Sequence, residues 1–313
     1  MRIIVEIFNP LIVPTLTLLG GEIAIALSFF TLFAIIYRRD AAKIKHHALK
    51  LAILIAIGLI LIGAAGLGKY GLLPVTLLLA YFGWQELLNT VQIKYGAIPL
   101  PMLLQLLGTV GIVGGLWENP LAIFFGVIVA TWVGIAIPIF ILDNPPPMYG
   151  MLTTAFGMVL ITLPLACLLT LVDSAYQEFN LLILLVLTHD GFSQGVGQIL
   201  GKNPLIPKIS PNKTWEGTIG GLLSCLLLGG FAHFILPEWQ LWQVLLLSGA
   251  VAFLALTGDL IASCLKREAG IKDFSQILAV TGGILDKFDS LIFTIPIFYI
   301  IVNFQHHLNF LMN

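Results

Sequence analysis

Long, uninterrupted apolar segments dominate the hydrophobic pattern of this chain, and short polar connections separate them. Ten such segments can be traced, at residues 11–37, 51–68, 71–91, 99–117, 121–142, 151–172, 181–201, 217–236, 241–262 and 284–303. A helix needs roughly 20 apolar residues to cross the hydrocarbon core of a bilayer, so each segment is a candidate spanning helix. A membrane barrel would show shorter segments of alternating hydrophobicity. The pattern therefore predicts an all-α, polytopic integral membrane protein with about nine to ten transmembrane helices.

The composition excludes a soluble globular domain. Of the 313 residues, 58% are hydrophobic and only 10% are charged, whereas a soluble domain carries about 25% charged residues. A chain this apolar does not have enough polar surface to face water on all sides. Lipid therefore has to act as its solvent.

The basic residues are distributed asymmetrically between the predicted connections. Residues 38–50 read RRDAAKIKHHALK, and the tendency of Lys and Arg to stay on the cytoplasmic side places this loop inside. Counting spans from there puts three further segments with Lys or Arg inside: 92–98, 202–216 and 263–283. Among the segments counted as outside, the only Lys or Arg residues are Lys69 and Arg2. We therefore expect these loops, and any active site that they carry, to face the cytoplasm at an inner or plasma membrane of prokaryotic type.

A Pro-rich break divides the chain into two parts. Residues 143–147 read DNPPP, and no helix can continue through such a segment. We expect residues 1–150 to be a scaffold of transmembrane helices that makes dimer and lipid contacts, and residues 151–313 to be a transmembrane catalytic region. Glu22 and Glu86 lie in or at the edge of spans of the first part, where charge is costly, and are candidate functional residues.

The first polar stretch covers residues 189–217. Asp190 follows eight uncharged residues, and a carboxylate in that position needs a cation or a hydrogen-bond donor as a partner. The loop after it offers lysines, hydroxyls and the backbone N–H groups that begin the next span at about residues 214–217, and all of these favour an anion. Two plainer explanations stay open. Ser210 or Thr214 would be an N-cap, and the lysines would only set the orientation in the membrane.

The second polar stretch covers residues 258–290 and is rich in carboxylates. Asp286 and Asp289 are three residues apart and share one face of the final span, and Asp259 ends the span before it. Converging carboxylates repel one another unless a cation lies between them, and Mg²⁺ prefers carboxylate oxygens together with substrate phosphates. The basic residues that would neutralise a polyphosphate are Lys266, Arg267, Lys272 and Lys287. Interfacial ion pairs among these residues, without a ligand, are the alternative.

Other catalytic classes lack their residues here. The second half contains no evident Ser–His–Asp set and no Walker-type glycine loop. Phosphoryl chemistry needs positioning, a metal ion and positive charge rather than covalent help from the protein. The two polar stretches suit a lipid phosphate and a nucleoside triphosphate that meet at the headgroup plane.

Cys167, Cys225 and Cys264 lie in or beside apolar segments, and we expect buried thiols without a disulfide framework.

At these residues the chain resembles the CDP-diacylglycerol synthase (phosphatidate cytidylyltransferase) family. The family's C-terminal signature is present in order and spacing, as Ser263-x-x-Lys266-Arg267, Lys272-Asp273, Gly282-Gly283 and Asp286-x-x-Asp289. A second block matches as Pro207-Lys208-x-Ser210-Pro211-x-Lys213-Thr214-x-Glu216-Gly217. Trp84-Gln85-Glu86-Leu87 resembles the family's Glu-Leu segment more weakly. The resemblance is strong over residues 188–300 and architectural before them.

This resemblance implies a membrane-embedded nucleotidyltransferase of phospholipid biosynthesis, which converts CTP and phosphatidic acid, or a related lipid phosphate, into CDP-diacylglycerol and pyrophosphate. It implies Mg²⁺, with or without a monovalent cation, held by Asp259 and Asp286. The implied catalytic residues are Asp259, Asp286, Asp289, Lys266 and Arg267. The implied substrate-binding residues are Lys208, Ser210, Lys213, Thr214, Ser263, Lys272, Asp273, Asp190 and Lys287. The implied partners are CTP, the lipid phosphate, membrane lipids and a second copy in a homodimer, with no nucleic acid.

Three departures from the family pattern indicate a divergent member. The family's Pro-Gly-His-Gly-Gly is replaced by Ala279-Val280-Thr281-Gly282-Gly283, so Thr281 takes the place of a histidine. Lys287 stands where the family has arginine, which removes a two-pronged phosphate donor, and His189 stands where it has asparagine. Two other functions stay open: a CTP-dependent lipid-alcohol kinase of the polyprenol or phytol type, and a non-catalytic family member.

Overall fold

The computed structural model describes residues 12–36, 38, 40–117, 119–142, 147–278 and 282–312. These residues are almost entirely helical, with one two-stranded hairpin among them. The helices are α1 Ile12–Ile36, α2 Ala41–Gly66, α3 Gly68–Tyr95, α4 Pro101–Val110, α5 Pro120–Ile141, α6 Met148–Gly157, α7 Leu163–Ser174, α8 Tyr176–Leu200, α9 Trp215–Ala232, α10 Leu241–Glu268 and α11 Leu285–Met312. The strands are β1 Pro204–Ile206 and β2 Ser210–Thr214.

Among the described residues, each apolar segment of the sequence is mostly helical in the structure. A 3₁₀ turn over Gly111–Leu116 continues α4, and a π-helical turn over Met158–Thr162 joins α6 to α7. Seven of the described helical segments are long and apolar enough to cross a membrane, judged by length and composition. The predicted all-α, polytopic integral membrane fold is therefore confirmed, whereas the exact number of spans stays a prediction. Of the predicted Pro-rich break, residues 143–146 lie outside the described residues.

The chain forms two compact units, each assembled from two separate stretches of sequence. The first unit comprises Met1–Gly68 and Tyr176–Leu260, and the second comprises Lys69–Ala175 and Ile261–Asn313. Helix α10 passes from the first unit into the second near its end. The predicted boundary at residue 150 concerns function, because it divides a scaffold from a catalytic region. It stays a prediction.

In the first unit, α8 packs closely against α9. Residues 181–186 of α8 are all buried, so this helix lies in the core of the unit. A side-chain carbon at Gly217 would lie 2.5 Å from the carbonyl oxygen of Ser193 and 3.0 Å from the Cα of Gly197. Small residues at such a contact let two membrane helices approach closely.

In the second unit, a buried tryptophan connects three helical segments. Trp84 of α3 is fully buried, and its indole N–H donates to the hydroxyl oxygen of Thr162 at 3.0 Å. The Thr162 hydroxyl in turn donates to the carbonyl oxygen of Gly108 in α4 at 2.8 Å. Because the indole N–H has a partner, the large ring is buried without leaving a polar group unsatisfied.

Two side-chain contacts in the second unit each join residues that the sequence assigns to the same side of the membrane. The ammonium of Lys69 lies 3.1 Å from the carboxylate of Asp173, and both residues are counted as outside. The hydroxyl of Tyr95 donates to the carboxylate of Glu268 at 2.5 Å, and both are counted as inside. Lys69 was an exception to the predicted asymmetry, and its positive charge is balanced by this ion pair.

The cysteine prediction is correct for two of the three residues. Cys167 and Cys225 are buried thiols, but Cys264 is exposed, and all three are free of disulfide bonds. The prediction was wrong for Cys264 because this residue lies in the last turns of α10, beyond the apolar part of the helix. The neighbouring Ser263 and Lys266 take the buried positions there.

Candidate active site

The connection between α10 and α11 in the second unit carries most of the C-terminal signature. Helix α10 ends in a Schellman motif: the N–H of Ile271 donates to the carbonyl of Lys266 at 2.9 Å, and the N–H of Gly270 donates to that of Arg267 at 3.1 Å. Gly270 has φ +73°, a left-handed conformation that glycine adopts at little cost. This motif turns the chain sharply after the two basic residues and directs it toward the start of α11.

Asp286, in the first turn of α11, has partners at both of its carboxylate oxygens. Its side chain is only 5% exposed. Oδ2 accepts hydrogen bonds from the backbone N–H groups of Phe274 and Gly283, each at 2.8 Å. Oδ1 faces the ammonium of Lys266 at 2.5 Å. Two backbone amides therefore fix one oxygen of the carboxylate, and a cation is bound at the other.

Lys266 is an unusually buried lysine, at 8% exposure. Its ammonium lies 5.1 Å from the centroid of the Phe274 ring, a distance at which the ring face attracts a cation. Burial of a positive charge is costly unless it is paired, and the carboxylate of Asp286 supplies the pairing. The sequence placed both residues in one site, and the structure brings them into direct contact.

The remaining predicted residues of the second unit differ in exposure and in their local hydrogen bonds. Arg267 is exposed and donates to the carbonyl of Ile271 at 3.1 Å. The Asp289 carboxylate accepts the backbone N–H of Ser290 at 2.8 Å. Ser263 is buried. Three further predicted residues are at least partly accessible, namely Lys272, Asp273 and Lys287.

A second lysine–carboxylate pair lies in the first unit. Strands β1 and β2 form an antiparallel hairpin in which Pro204 pairs with Thr214 and Ile206 with Ser210. Lys213, near the end of β2, places its ammonium 2.6 Å from Oδ2 of Asp259. The side chain of Asp259 is 36% exposed, so this pair is more accessible to water than the pair in the second unit.

The hairpin leads directly into α9, and the residues at this junction have structural partners. The hydroxyl of Thr214 accepts the N–H of Gly217 at 3.2 Å, so Thr214 is the N-cap, one of the two plainer explanations left open by the sequence. Ser210 lies at the start of β2 instead. The Glu216 carboxylate accepts the backbone N–H groups of Lys202 and Asn203 at 3.1 and 3.3 Å. Glu216 thereby ties the entry of the hairpin to the first turn of α9.

Asp190 lies in α8, next to a buried histidine. Nδ1 of His189 is 3.2 Å from Oδ1 of Asp190, and the His189 ring is buried. Lys208, by contrast, is exposed in the turn between the two strands. The first unit therefore brings Lys213 and Asp259 into direct contact, while Asp190 lies in α8 and Lys208 in the turn of the hairpin.

Glu86 was predicted only as a charge in or at the edge of a span and not as part of the site, yet the structure makes it a functional candidate. It lies in α3 and is 1% exposed. Its carboxylate accepts the backbone N–H groups of Ile284 and Leu285 at 2.9 and 2.7 Å, together with the hydroxyl of Ser275 at 2.5 Å. The weak Glu-Leu resemblance was the signal that could have connected it to the C-terminal signature.

Both carboxylates that the resemblance assigns to Mg²⁺ are thus paired with lysines assigned to phosphate. Ion pairs of this kind were also the expectation of the explanation without a ligand, so the pairs alone do not decide between the two. Among the described residues, no group of three or more His, Cys, Asp or Glu side chains is arranged so that it could hold a metal ion. Thr281, at the position of the family's histidine, lies outside the described residues.

Comparisons with known proteins extend the resemblance across the chain. A model of the cytidylyltransferase family matches residues 45–305. A phosphatidate cytidylyltransferase of Staphylococcus saprophyticus is 30% identical over 72% of this chain and 87% of its own length. One from Rickettsia bellii is 31% identical over 61% of this chain and 84% of its own length. One from Haemophilus influenzae is 40% identical over 37% of this chain, but the match spans only 42% of that relative's length.

Proposed function

The chain belongs to the cytidylyltransferase family, and on that premise we propose that it is a phosphatidate cytidylyltransferase. It would convert CTP and phosphatidic acid, or a related lipid phosphate, into CDP-diacylglycerol and pyrophosphate, in phospholipid biosynthesis. Two of these relatives, which align with this chain over 87% and 84% of their own length, are named phosphatidate cytidylyltransferase. The structural observation that carries most weight is the burial of the Asp286 carboxylate within the family's signature, where two backbone N–H groups hold one of its oxygens.

The carboxylate of Asp286 is the kind of donor that Mg²⁺ prefers, which supports the proposal of a Mg²⁺ site here. Oδ1 of Asp286 faces an ammonium while Oδ2 is held by two backbone N–H groups, so one oxygen is already oriented toward a cation. Mg²⁺ commonly binds through one or two carboxylates and completes its shell with water and substrate phosphates. We propose Asp286 as a ligand of the catalytic Mg²⁺. Asp259 is the second ligand that the sequence indicates, and this assignment remains a proposal.

The lysines that now pair with the carboxylates would bind phosphate when substrate arrives. Lys266 and Lys213 are each placed against a carboxylate oxygen, at 2.5 and 2.6 Å. A nucleoside triphosphate brings several negative charges, which would attract an ammonium group away from the carboxylate that it faces. The carboxylates then become available to a divalent cation. Binding of nucleotide and of metal is therefore expected to be mutually reinforcing.

The chain's own groups would act mainly by positioning and by charge. An oxygen of the lipid phosphate attacks the α-phosphorus of CTP, and the bond from that phosphorus to the bridging oxygen of the β-phosphate breaks. The electron pair of the broken bond leaves with pyrophosphate. Lysine and arginine side chains stabilise the negative charge that develops on the phosphate oxygens. When bound, Mg²⁺ supplies further stabilisation of charge on the leaving pyrophosphate.

The cellular setting follows from the same observations. The chain is an integral membrane protein by its fold, and the relatives named above are bacterial. We propose that the site faces the cytoplasm of an inner or plasma membrane, because the loops with Lys and Arg are those that contain the signature. We also propose that the protein works as a homodimer, as the family resemblance implies.

The proposal is tested with protein purified in detergent, Mg²⁺, phosphatidic acid and CTP labelled in parallel at the α- or the γ-phosphate. Cytidylyl transfer puts the α-label into the extracted lipid and releases the γ-label as pyrophosphate. A lipid-alcohol kinase would instead put the γ-label into an added polyprenol or phytol. Absence of label from every lipid phosphate and lipid alcohol tried, with folded protein, would favour a non-catalytic member and contradict the proposal.

A further inference from the structure

Glu86 connects two parts of the second unit that are far apart in sequence. The carboxylate lies in α3, while its three hydrogen-bond donors, Ser275, Ile284 and Leu285, lie 189 to 199 residues later. The side chain is almost completely buried. A buried carboxylate without partners would be strongly unfavourable, but these three donors satisfy both of its oxygens.

Two of these donors, Ile284 and Leu285, lie at the start of α11, the helix that carries Asp286. Leu285 is the first residue of α11, and the first N–H groups of a helix have no partner within the helix. Such N–H groups attract an anion, and at this helix the anion is Glu86 itself. The next residue along the chain is Asp286. Glu86 therefore fixes the turn from which Asp286 projects toward Lys266.

Gly283 shows how closely the carboxylate approaches this turn. A side-chain carbon at Gly283 would fall directly against the carboxylate of Glu86. The N–H of Gly283 also donates to Asp286 at 2.8 Å. The same short segment thus contacts Glu86 on one side and binds Asp286 on the other. A displacement of Glu86 is transmitted to Asp286 through one or two backbone units.

We propose that Glu86 is a positioning residue of the active site, which holds the start of α11 so that Asp286 keeps the orientation needed to bind a divalent cation. Glu86 acts through the backbone of residues 283–285 and through Ser275, and it does not itself touch substrate. The inference rests on the proposed function only in naming Asp286 as a metal ligand. Partners that orient a metal ligand are worth about 10- to 100-fold in metal affinity or activity.

The test compares Glu86→Gln with Glu178→Gln in the detergent-solubilised full chain. Glu178 is the matched control because it too is a buried carboxylate, and it accepts the indole N–H of Trp239 at 3.0 Å in the first unit. Direct binding of Mn²⁺, followed by electron paramagnetic resonance, is measured without lipid. Hydrogen exchange of the peptide that contains residues 282–290 is measured in the same samples.

The expected result is a loss of Mn²⁺ affinity of about 10-fold or more in Glu86→Gln, with faster exchange at the amides of Ile284 and Leu285. The Glu178→Gln variant is expected to match the wild type in both measurements. A Glu86→Gln variant that binds Mn²⁺ as tightly as the wild type would overturn the proposal, even if its amides exchanged faster, because the contact would then be only structural.

A milder pair of variants covers the case in which Glu86→Gln does not fold. Ser275→Ala removes one donor to Glu86, and Ser224→Ala is its control, since the Ser224 hydroxyl donates only within its own helix, to the carbonyl of Gly220. Ser275→Ala should weaken Mn²⁺ binding by a smaller factor, and Ser224→Ala should not change it. Equal Mn²⁺ affinity in the two variants would overturn the inference. Because these measurements need no turnover, they separate a failure of this inference from a failure of the cytidylyltransferase assay.

Discussion

The ammonium of Lys266 lies 2.5 Å from Oδ1 of Asp286, and the two groups are buried together at the start of α11. In the proposed reaction they have different ligands, because the lysine binds phosphate and the carboxylate binds Mg²⁺. The lysine therefore competes with Mg²⁺ for the carboxylate. It neutralises the carboxylate until a polyphosphate binds the lysine. This relationship leads to predictions for each partner separately.

Replacing the carboxylate is the first prediction. Asp286→Asn keeps the size of the side chain but loses the negative charge that a divalent cation needs. Mg²⁺-dependent turnover should fall by on the order of 100-fold or more, while thermal unfolding in detergent shows that the protein is still folded. Glu238→Gln, in an exposed connection of the first unit, should keep wild-type turnover. Wild-type activity in the Asp286→Asn variant would contradict the proposal that Asp286 is a ligand of Mg²⁺.

Replacing the lysine should separate metal binding from turnover. In Lys266→Met the ammonium no longer competes for Asp286, so Mn²⁺ should bind more tightly in the absence of nucleotide. Turnover should nevertheless fall by about 100- to 1,000-fold, because a group that stabilises phosphate charge is lost. Mn²⁺ titration and a CTP-dependent assay measure the two effects.

Lys69→Met is the matched control for that variant. It removes an ammonium from a comparable ion pair, at 3.1 Å from Asp173, but outside the predicted site. Neither Mn²⁺ affinity nor turnover should change in Lys69→Met. Weaker Mn²⁺ binding in Lys266→Met would argue against competition between the lysine and the metal.

The exposed thiol of Cys264 allows a direct test of membrane orientation. Cys264 lies between Ser263 and Lys266 and is exposed, whereas Cys167 and Cys225 are buried. A membrane-impermeant maleimide should label inverted membrane vesicles and should leave intact, right-side-out vesicles unlabelled. Cys264→Ser should abolish the signal. Labelling of the right-side-out vesicles would place the site on the outer face.

The two possible roles of Thr214 can be distinguished by stability. Its hydroxyl accepts the N–H of Gly217, and loss of an N-cap costs about 1 kcal/mol. Thr214→Ala should therefore lower the free energy of unfolding by about that amount, and Thr214→Asn, which keeps an acceptor, should restore it. If Thr214→Asn is as stable as the wild type yet has a raised KM for CTP, the hydroxyl binds substrate as well.

The helices could be predicted from the sequence because membrane spans leave long apolar segments that need no knowledge of tertiary contacts. The grouping of Lys266 with Asp286 could also be predicted, since both lie within one short polar stretch. The contact of Glu86 with Ile284 could not, because it joins residues 198 positions apart and depends on how α3 packs against the start of α11. The exposure of Cys264 was mispredicted for a similar reason, as it depends on which side of the last turns of α10 is buried.

Cytidylyl transfer is tested most directly by the mass of the lipid product. Wild-type protein and Asp286→Asn would each be incubated with Mg²⁺, CTP and phosphatidic acid, and the extracted lipids analysed by mass spectrometry with pyrophosphate measured in the aqueous phase. We expect the wild type to transfer one cytidylyl group to phosphatidic acid and to release one pyrophosphate for each product, and we expect Asp286→Asn to do neither. Unchanged phosphatidic acid with folded wild-type protein would contradict cytidylyl transfer, and a product formed equally by both proteins would contradict the role of Asp286.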